Sequence, residues 1–231
     1  WPMRREAALH GGSRQFDVVA IYHWFMEIWH NEGWPAIKQT LVISQVALAL
    51  TGLFALLSFP LATKKYASFI VRGPQRFLLL FLQSVPEYVF AYALLFLWGP
   101  GLLPGVLALA LHNGGILAWL SAMHADLLPG IGLYTKRKSD HFLYETLPAV
   151  YGQFLAFLFY RWEIIVRESA LLGLVGIGTL GFYIQGAIAD LQYDKALLLI
   201  IFSSLITMMI DVLSLRIRRR LHLDNARCDK V

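Results

Sequence analysis

Residues 167–182 read RESALLGLVGIGTLGF, an apolar stretch with four glycines that lies between two long hydrophobic runs. A regular membrane-spanning helix has no need of so much glycine, which removes the Cβ atom and lets the backbone bend or approach another segment closely. At membrane depth, a broken backbone is tolerated only where it packs against protein or lines a water-filled cavity. The stretch therefore predicts a bent element beside a pathway. Its glycines, the predicted gate, are Gly173, Gly176, Gly178 and Gly181.

The composition is that of an integral membrane protein. Of the 231 residues, 58% are hydrophobic and 15% are charged, with a mean hydropathy of +0.57. Soluble domains have about 45–50% apolar residues and about 25% charged residues. The net charge of +5 comes from basic residues at the ends of apolar runs, which favours topology-setting charge over a nucleic-acid surface. The single cysteine, Cys228, excludes an internal disulfide and a thiolate metal cluster.

Five apolar segments predict five membrane spans, because about 20 apolar residues cross a hydrocarbon core of roughly 30 Å. The segments are residues 40–62, 77–98, 106–123, 149–165 and 196–215. A basic loop of residues 64–76 follows the first span and arginines follow the last, which puts both in the cytoplasm by the positive-inside rule. The fourth span then runs outward and the fifth inward. The glycine stretch between them is therefore predicted to be a re-entrant or bent element in the outer half of the membrane.

Residues 1–37 are predicted to form an interfacial segment. Apolar and aromatic residues recur at helical spacing from Phe16 to Trp34, and tryptophan concentrates at the membrane–water boundary. The chain begins at Trp1 without an initiator methionine or a cleavable signal peptide. We therefore expect the true N-terminus to lie upstream.

Polar residues inside the predicted spans are candidates for a pathway lining, because ionisable groups at membrane depth face protein or water. Glu87 follows a proline in the second span, where a polar contact between helices is an equally good interpretation. His112 and Asn113 lie in the third span, where hydrogen bonds between helices are favoured over substrate contact.

Two arginines, Arg161 and Arg167, are predicted near the outer mouth of the protein. There they could attract an anionic substrate. Pairing with Glu163 and Glu168 explains them equally well, since long basic side chains can extend toward the membrane surface.

Residues 124–147 form the longest polar segment between the spans, and the basic run of Lys136, Arg137 and Lys138 puts it in the cytoplasm. A loop of this length in a compact protein usually has a function. Its second half is predicted to be a short helix that ends before Pro148.

Metal binding is not predicted. His141 and Glu145 are four residues apart on the short helix, and His23 and His30 are seven apart near the N-terminus. Neither pair has a third ligand at a spacing that would complete a site.

The segment from Gly176 to Gly181 matches the pattern G-x-G-x-x-G. A dinucleotide site needs that pattern between a strand and a helix, whereas these flanks are membrane spans. The chain also lacks a Walker A lysine motif and a G-x-S-x-G motif. We therefore expect neither an enzyme nor a cofactor bound by this chain.

Several sequence blocks together resemble the permease subunits of bacterial ATP-binding-cassette (ABC) importers of the phosphonate type. The blocks lie in residues 84–87, 99–115, 160–182 and 211–220. The likeness covers about Trp34 to Leu221. It implies an all-α permease core of five spans in the bacterial inner membrane, usually preceded by one more N-terminal span. It also implies transport of a phosphonate or a related phosphorus oxyanion.

In domain terms, the resemblance implies a transmembrane permease domain of residues 38–221 and a cytoplasmic tail of residues 222–231. Two permease subunits are expected to enclose the path. Two cytoplasmic ATPase subunits bind the ATP, and an external binding protein delivers the substrate.

The cytoplasmic coupling helix of this family, which docks in the ATPase, falls in the loop before Leu147 and Pro148. The family usually has a Glu-Ala-x(4)-Gly core there, whereas residues 129–138 read PGIGLYTKRK and are about one helical turn shorter. The residues predicted for ATPase coupling are Lys136, Arg137, Lys138, His141, Glu145, Leu147 and Pro148.

The altered coupling loop favours a heterodimer with a second permease that docks conventionally over a homodimer of this chain. Two alternatives stay open. The chain could be a non-transporting scaffold or regulatory subunit that has kept the fold, or an ATP-independent channel or secondary carrier.

Overall fold

A computed structural model describes residues 18–99, 101–128 and 147–228. The helices in these ranges are α1 (Val18–Ile28), α2 (Trp34–Ala62), α3 (Phe69–Ser84), α4 (Glu87–Trp98), α5 (Leu102–Leu127), α6 (Leu147–Leu171), α7 (Leu180–Ala189) and α8 (Tyr193–Cys228). A π-helical turn, Trp29–Gly33, joins α1 to α2, and a 3-10 turn, Leu172–Val175, follows α6. The described ranges contain no strand, and the predicted all-α fold is confirmed.

The predicted number of spans also agrees with the structure. Four helical stretches are long and apolar enough to cross a membrane, namely Val19–Ala62, Leu102–Leu127, Leu147–Ala170 and Tyr193–Arg220. Helices α3 and α4 provide a fifth span if the bent pair is counted as one. Helix α7, with 10 residues, covers only about 15 Å and is too short to cross.

The helices extend beyond the apolar segments that predicted them. Helix α3 begins at Phe69, so Arg72 and Arg76 lie on a helix and not in the predicted basic loop. Helix α8 continues to Cys228, so the backbone of residues 222–228 is helical. Apolar segments mark the part of a helix that can sit in lipid, whereas the backbone hydrogen bonds continue into the polar ends.

The N-terminal region forms one helical run with the first span. The N–H of Trp34 bonds to the carbonyl of Trp29, five residues back, and Pro35 has no N–H to continue the normal ladder. Trp29 and Phe25 pack edge-on against Phe202 of α8. Helix α1 is therefore packed on the bundle; an interfacial position for residues 1–37 stays a prediction.

Helix α5 is central and packs against α2, α3, α4 and α6. Its buried face contains small residues, which let neighbouring helices approach closely. They include Ala108, Gly114, Gly115, Ala118 and Ala122.

One end of the bundle is joined by the side chain of Asp126 at the end of α5. Arg76 Nη2 donates to Asp126 Oδ2 at 2.8 Å, and the backbone N–H of Lys64 donates to Asp126 Oδ1 at 2.8 Å. Arg76 Nε also donates to the carbonyl of Ala62 at 2.8 Å. The ends of α2 and α5 and the first half of α3 therefore lie together, as expected for segments on the same side of the membrane.

Candidate functional site

The second predicted span is broken at a proline. Helices α3 and α4 meet at an angle of 98°. Pro86 has no N–H for the carbonyl of Leu82, four residues back, and it holds Val85 in an extended conformation with φ −86° and ψ 124°. The resulting elbow would leave backbone carbonyls without donors at membrane depth, which is costly unless another group supplies them.

His112 of α5 supplies the missing donor. Its Nδ1 lies 3.1 Å from the carbonyl oxygen of Leu82 and 3.0 Å from that of Val85. Carbonyl oxygens only accept, so Nδ1 must carry the proton. The other ring nitrogen, Nε2, faces the Glu87 carboxylate at 3.8 Å. The imidazole therefore holds the elbow, and its other nitrogen lies beside the buried carboxylate of Glu87.

Asn113, the next residue on α5, connects that helix to α6. Its side chain is fully buried, and Nδ2 donates to Glu168 Oε2 at 2.8 Å and to the carbonyl of Leu109 at 3.1 Å. Its Oδ1 accepts from Arg161 Nη1 at 3.3 Å. The side-chain amide of Asn113 thus holds an acidic and a basic side chain of α6, Glu168 and Arg161, close to each other.

The structure brings four of the predicted pathway residues into one network, defined here as the polar cluster. These four are Glu87, His112, Asn113 and Arg161. The fifth member is Glu168, which the sequence indicates only as a possible partner for an arginine. Arg161 and Glu168 are seven residues apart on one helix, a spacing that puts both on one face. That spacing is the signal that could have identified Glu168.

Arg167 lies outside the polar cluster. Its Nη2 pairs with Glu163 Oε1 at 2.7 Å, four residues back on α6, and its side chain is 61% exposed. Of the two interpretations of this arginine, the structure shows pairing with a glutamate. The sequence groups Arg161 with Arg167, but the structure puts Arg161 in the cluster and leaves Arg167 at the surface.

The glycine stretch is bent, as predicted, and its bend is compact. A Cβ atom at Gly173 would overlap the backbone N of Phe182 and the backbone C of Gly181. Gly176 has a φ of +85°, in the left-handed region, and Gly178 lies against the side-chain amide of Gln39. The 3-10 turn thus packs directly on the first turn of α7. Re-entry into the membrane and a gating role stay predictions.

Buried hydroxyl groups hold this bend against α2 and against the end of α6. The N–H of Leu180 donates to Thr40 Oγ1 at 3.2 Å, and the Thr40 hydroxyl donates to the carbonyl of Ala36 at 2.8 Å. Thr179 Oγ1 donates to the carbonyl of Ala170 at 3.1 Å. Sequence reasoning missed these residues, because single threonines in apolar runs carry no motif.

The bend lies at the opposite end of α5 from Asp126. A Cβ atom at Gly105, near the start of α5, would come within 2.6 Å of Ile177 Cδ1. Gly105 and Asp126 are separated by about 30 Å along the helix. The glycine stretch and the Lys64 loop are therefore at different ends of the bundle, as the predicted topology requires.

Most of the predicted coupling residues lie outside the described residues, namely Lys136, Arg137, Lys138, His141 and Glu145. Leu147 and Pro148 are described and form the start of α6. Leu147 packs beside the buried core of α2, α5 and α6. Their role in ATPase coupling stays a prediction.

The sequence has relatives among phosphorus-anion transport permeases, although no family model matches it. It is 33% identical over 177 residues to the phosphite transport system permease protein PtxC of Stutzerimonas stutzeri, covering 74% of this chain and 64% of that protein. It is 32% identical over 203 residues to the phosphate-import permease protein PhnE of Mycolicibacterium smegmatis, covering 80% of this chain and 37% of that protein. The chain thus spans less than two thirds of either relative.

A shorter relative matches along almost its whole length. The putative cryptic phosphonate transport system permease protein PhnE2 of Escherichia coli K12 is 29% identical over 119 residues, covering 49% of this chain and 98% of that protein.

Solved structures share the fold at low sequence identity. An amino acid ABC transporter with histidines superposes with a TM-score of 0.69 at 16% identity, covering 90% of this chain and 100% of that chain. The MetNI methionine ABC transporter, in an inward-facing conformation, gives a TM-score of 0.65 at 14% identity, covering 86% of this chain and 96% of that chain. The resemblance seen in the sequence blocks is confirmed: this chain is a homologue of the phosphonate and phosphite ABC transport permeases and has the ABC permease fold.

Proposed function

We propose that this chain is the membrane-spanning permease subunit of an ATP-driven importer for phosphonate or a related phosphorus oxyanion in the bacterial inner membrane. The observation that carries the proposal is the likeness to permeases named for phosphite, phosphate and phosphonate systems. The subunit lines the path and breaks no bonds. ATP binds to a separate cytoplasmic ATPase dimer, and an extracytoplasmic binding protein delivers the substrate.

We assign the polar cluster to the substrate path and the glycine stretch to its outer gate. Ionisable residues inside a membrane are expensive, and they are usually retained for transport or for pairing between helices. Arg161 is the cluster's permanent cation, and guanidinium groups bind phosphorus oxyanions well because of their planar array of donors.

Uptake by the reconstituted complex tests this function. We expect vesicles that contain the permease, its ATPase and its binding protein to accumulate labelled phosphite or methylphosphonate only with ATP. Arg161→Gln is expected to lower uptake by at least about tenfold, because a charge-assisted hydrogen bond contributes roughly 1.5–3 kcal/mol. Arg167→Gln is the matched control, since this arginine is paired at the surface, and its uptake should change less than twofold or so.

Three results would contradict the proposal. Flux without any ATPase would indicate a channel or carrier. ATPase binding without uptake of any solute would indicate a scaffold. ATP-driven uptake of an unrelated solute in place of phosphorus anions would contradict the substrate class.

We also propose that the partner permease is a different chain. The support is the loop sequence at residues 129–138, which lacks the family's Glu-Ala-x(4)-Gly core, because loss of one docking interface is tolerable only where another remains. The residues from Lys136 to Pro148 then form a weakened docking surface. The intact mass of the purified complex should contain one copy of this chain and one other permease. Two copies of this chain and no other permease would rule the heterodimer out.

A further inference from the structure

In the polar cluster, a side chain of the protein, Glu168, occupies a position that suits a bound anion. The carboxylate of Glu168 accepts the Asn113 amide hydrogen bond at 2.8 Å. Asn113 cannot turn away easily, because its other amide hydrogen is held by the carbonyl of Leu109 and its Oδ1 by Arg161. The Asn113 amide therefore contacts both the Glu168 carboxylate and the Arg161 guanidinium, which places a cation on the far side of the amide from the carboxylate that it binds.

The carboxylate does not use all the donors at this position. Arg161 Nε is buried and has no hydrogen-bond partner among the described residues, and the contact of Arg161 with Asn113 is long, at 3.3 Å. A buried donor without a partner is unfavourable by about 1–3 kcal/mol. A tetrahedral phosphorus oxyanion has more acceptor oxygens than a carboxylate and can engage both Asn113 and Arg161.

A second carboxylate opposes the charge of Glu168. Glu87 faces His112 at 3.8 Å, and His112 directly precedes Asn113, the donor to Glu168, so the two carboxylates lie in the same cluster. Like charges in a site of low dielectric repel strongly. Glu168 is only partly buried, so its side chain has room to leave. The Glu168 carboxylate is thus held only weakly in the cluster. The donors of Asn113 and Arg161 suit an anion with more acceptor oxygens better.

We propose that Glu168 is an internal surrogate for the transported oxyanion: its carboxylate fills the Asn113–Arg161 position when the path is empty and yields it to substrate. This inference rests on the proposed function, because the displacing anion is taken to be the transported one. It makes Glu168 a residue that sets affinity and specificity inside the membrane, separately from the external binding protein.

Direct binding measures this competition without the binding protein. Labelled phosphite is titrated onto the detergent-solubilised permease–ATPase complex, for the wild type and for Glu168→Gln. If the released form of Glu168 is populated at about 10% or less, as is common for minor states, removing the competitor tightens phosphite binding by at least about tenfold. Glu163→Gln is the matched control, since its carboxylate pairs with Arg167 on the same helix, and its affinity should stay within about twofold of the wild type.

A second variant guards against misfolding. Glu168→Ala leaves space at the anion position and should lower the melting temperature of the complex. Added phosphite is then expected to raise that temperature by several degrees more than in the wild type, because a ligand that binds only the folded state stabilises it. The double variant Arg161→Gln with Glu168→Ala should lose this rescue.

The results separate the surrogate from the proposed function. Wild-type uptake of phosphite together with unchanged phosphite affinity in Glu168→Gln, and no rescue of Glu168→Ala, would overturn the surrogate and leave the transport function intact. Tighter binding in Glu168→Gln without any wild-type uptake of phosphorus anions would support the anion position and overturn the proposed transport function.

Discussion

Gly173→Ala is expected to prevent the bundle from reaching its folded state. The new Cβ atom would overlap the backbone of Gly181 and Phe182, with the Cα atom of Phe182 only 2.8 Å away. Backbone atoms cannot rotate aside as a side chain can, so the loss should exceed the roughly 1–3 kcal/mol of ordinary overpacking. The measurement is the yield of monodisperse protein and its thermal unfolding in detergent.

Substitutions at two other glycines serve as references for the stability of the Gly173→Ala protein. Gly186 of α7 has open space where a Cβ would go, so Gly186→Ala should be neutral or stabilising by up to about 1 kcal/mol. Gly176 has open space but a φ of +85°, so Gly176→Ala should be destabilising by about 1–2 kcal/mol. A Gly173→Ala protein as stable as Gly186→Ala would show that the 3-10 turn does not pack on α7 as described.

The glycine stretch also shows how far the sequence could predict this fold. Its glycine content and the charges on both flanks are enough to predict a bend, because both signals are local. The contacts that fix the bend are not local. The hydrogen bond from Leu180 to Thr40 joins residues 140 positions apart, and an isolated threonine gives no sign of its partner.

The polar cluster shows the same difference between local sequence signals and long-range contacts. Each predicted member stands out because a polar residue interrupts an apolar run, which is a local signal. Which of them meet depends on the packing of α5 against α6, and Asn113 and Glu168 are 55 positions apart. For that reason the sequence presents Glu168 only as one of two possible partners for the arginines, whereas tertiary packing pairs it with Asn113.

At Pro86 the sequence indicates that the helix is disturbed but does not show how large the resulting bend is. A proline at this position removes one helical hydrogen bond and favours an extended residue before it. Whether a helix kinks or breaks depends on what satisfies the freed carbonyls. Here one histidine of another helix satisfies two of them, and the chain turns by 98°.

His112→Leu should therefore destabilise the elbow by about 2–6 kcal/mol, because two carbonyls at membrane depth lose their donor at roughly 1–3 kcal/mol each. Pro86→Ala should recover part of that loss in the double variant, since the substituted residue has a backbone N–H that can donate to the carbonyl of Leu82. The coupling between the two substitutions is expected to be about 0.5–3 kcal/mol. The free energy of unfolding of the wild type, both single variants and the double variant measures it.

His124→Leu is the matched control for this cycle. His124 lies on the same helix, about three turns further on, and no hydrogen bond of its side chain is found within the described residues. Its replacement should change the free energy of unfolding by less than about 0.5 kcal/mol. Equal losses for His112→Leu and His124→Leu, or strict additivity of His112→Leu and Pro86→Ala, would mean that the imidazole does not hold the elbow. A rescue specific to Pro86→Ala would instead show that the carbonyl of Leu82 is one of the groups that His112 serves, since proline lacks the N–H that would donate to that carbonyl in a helix.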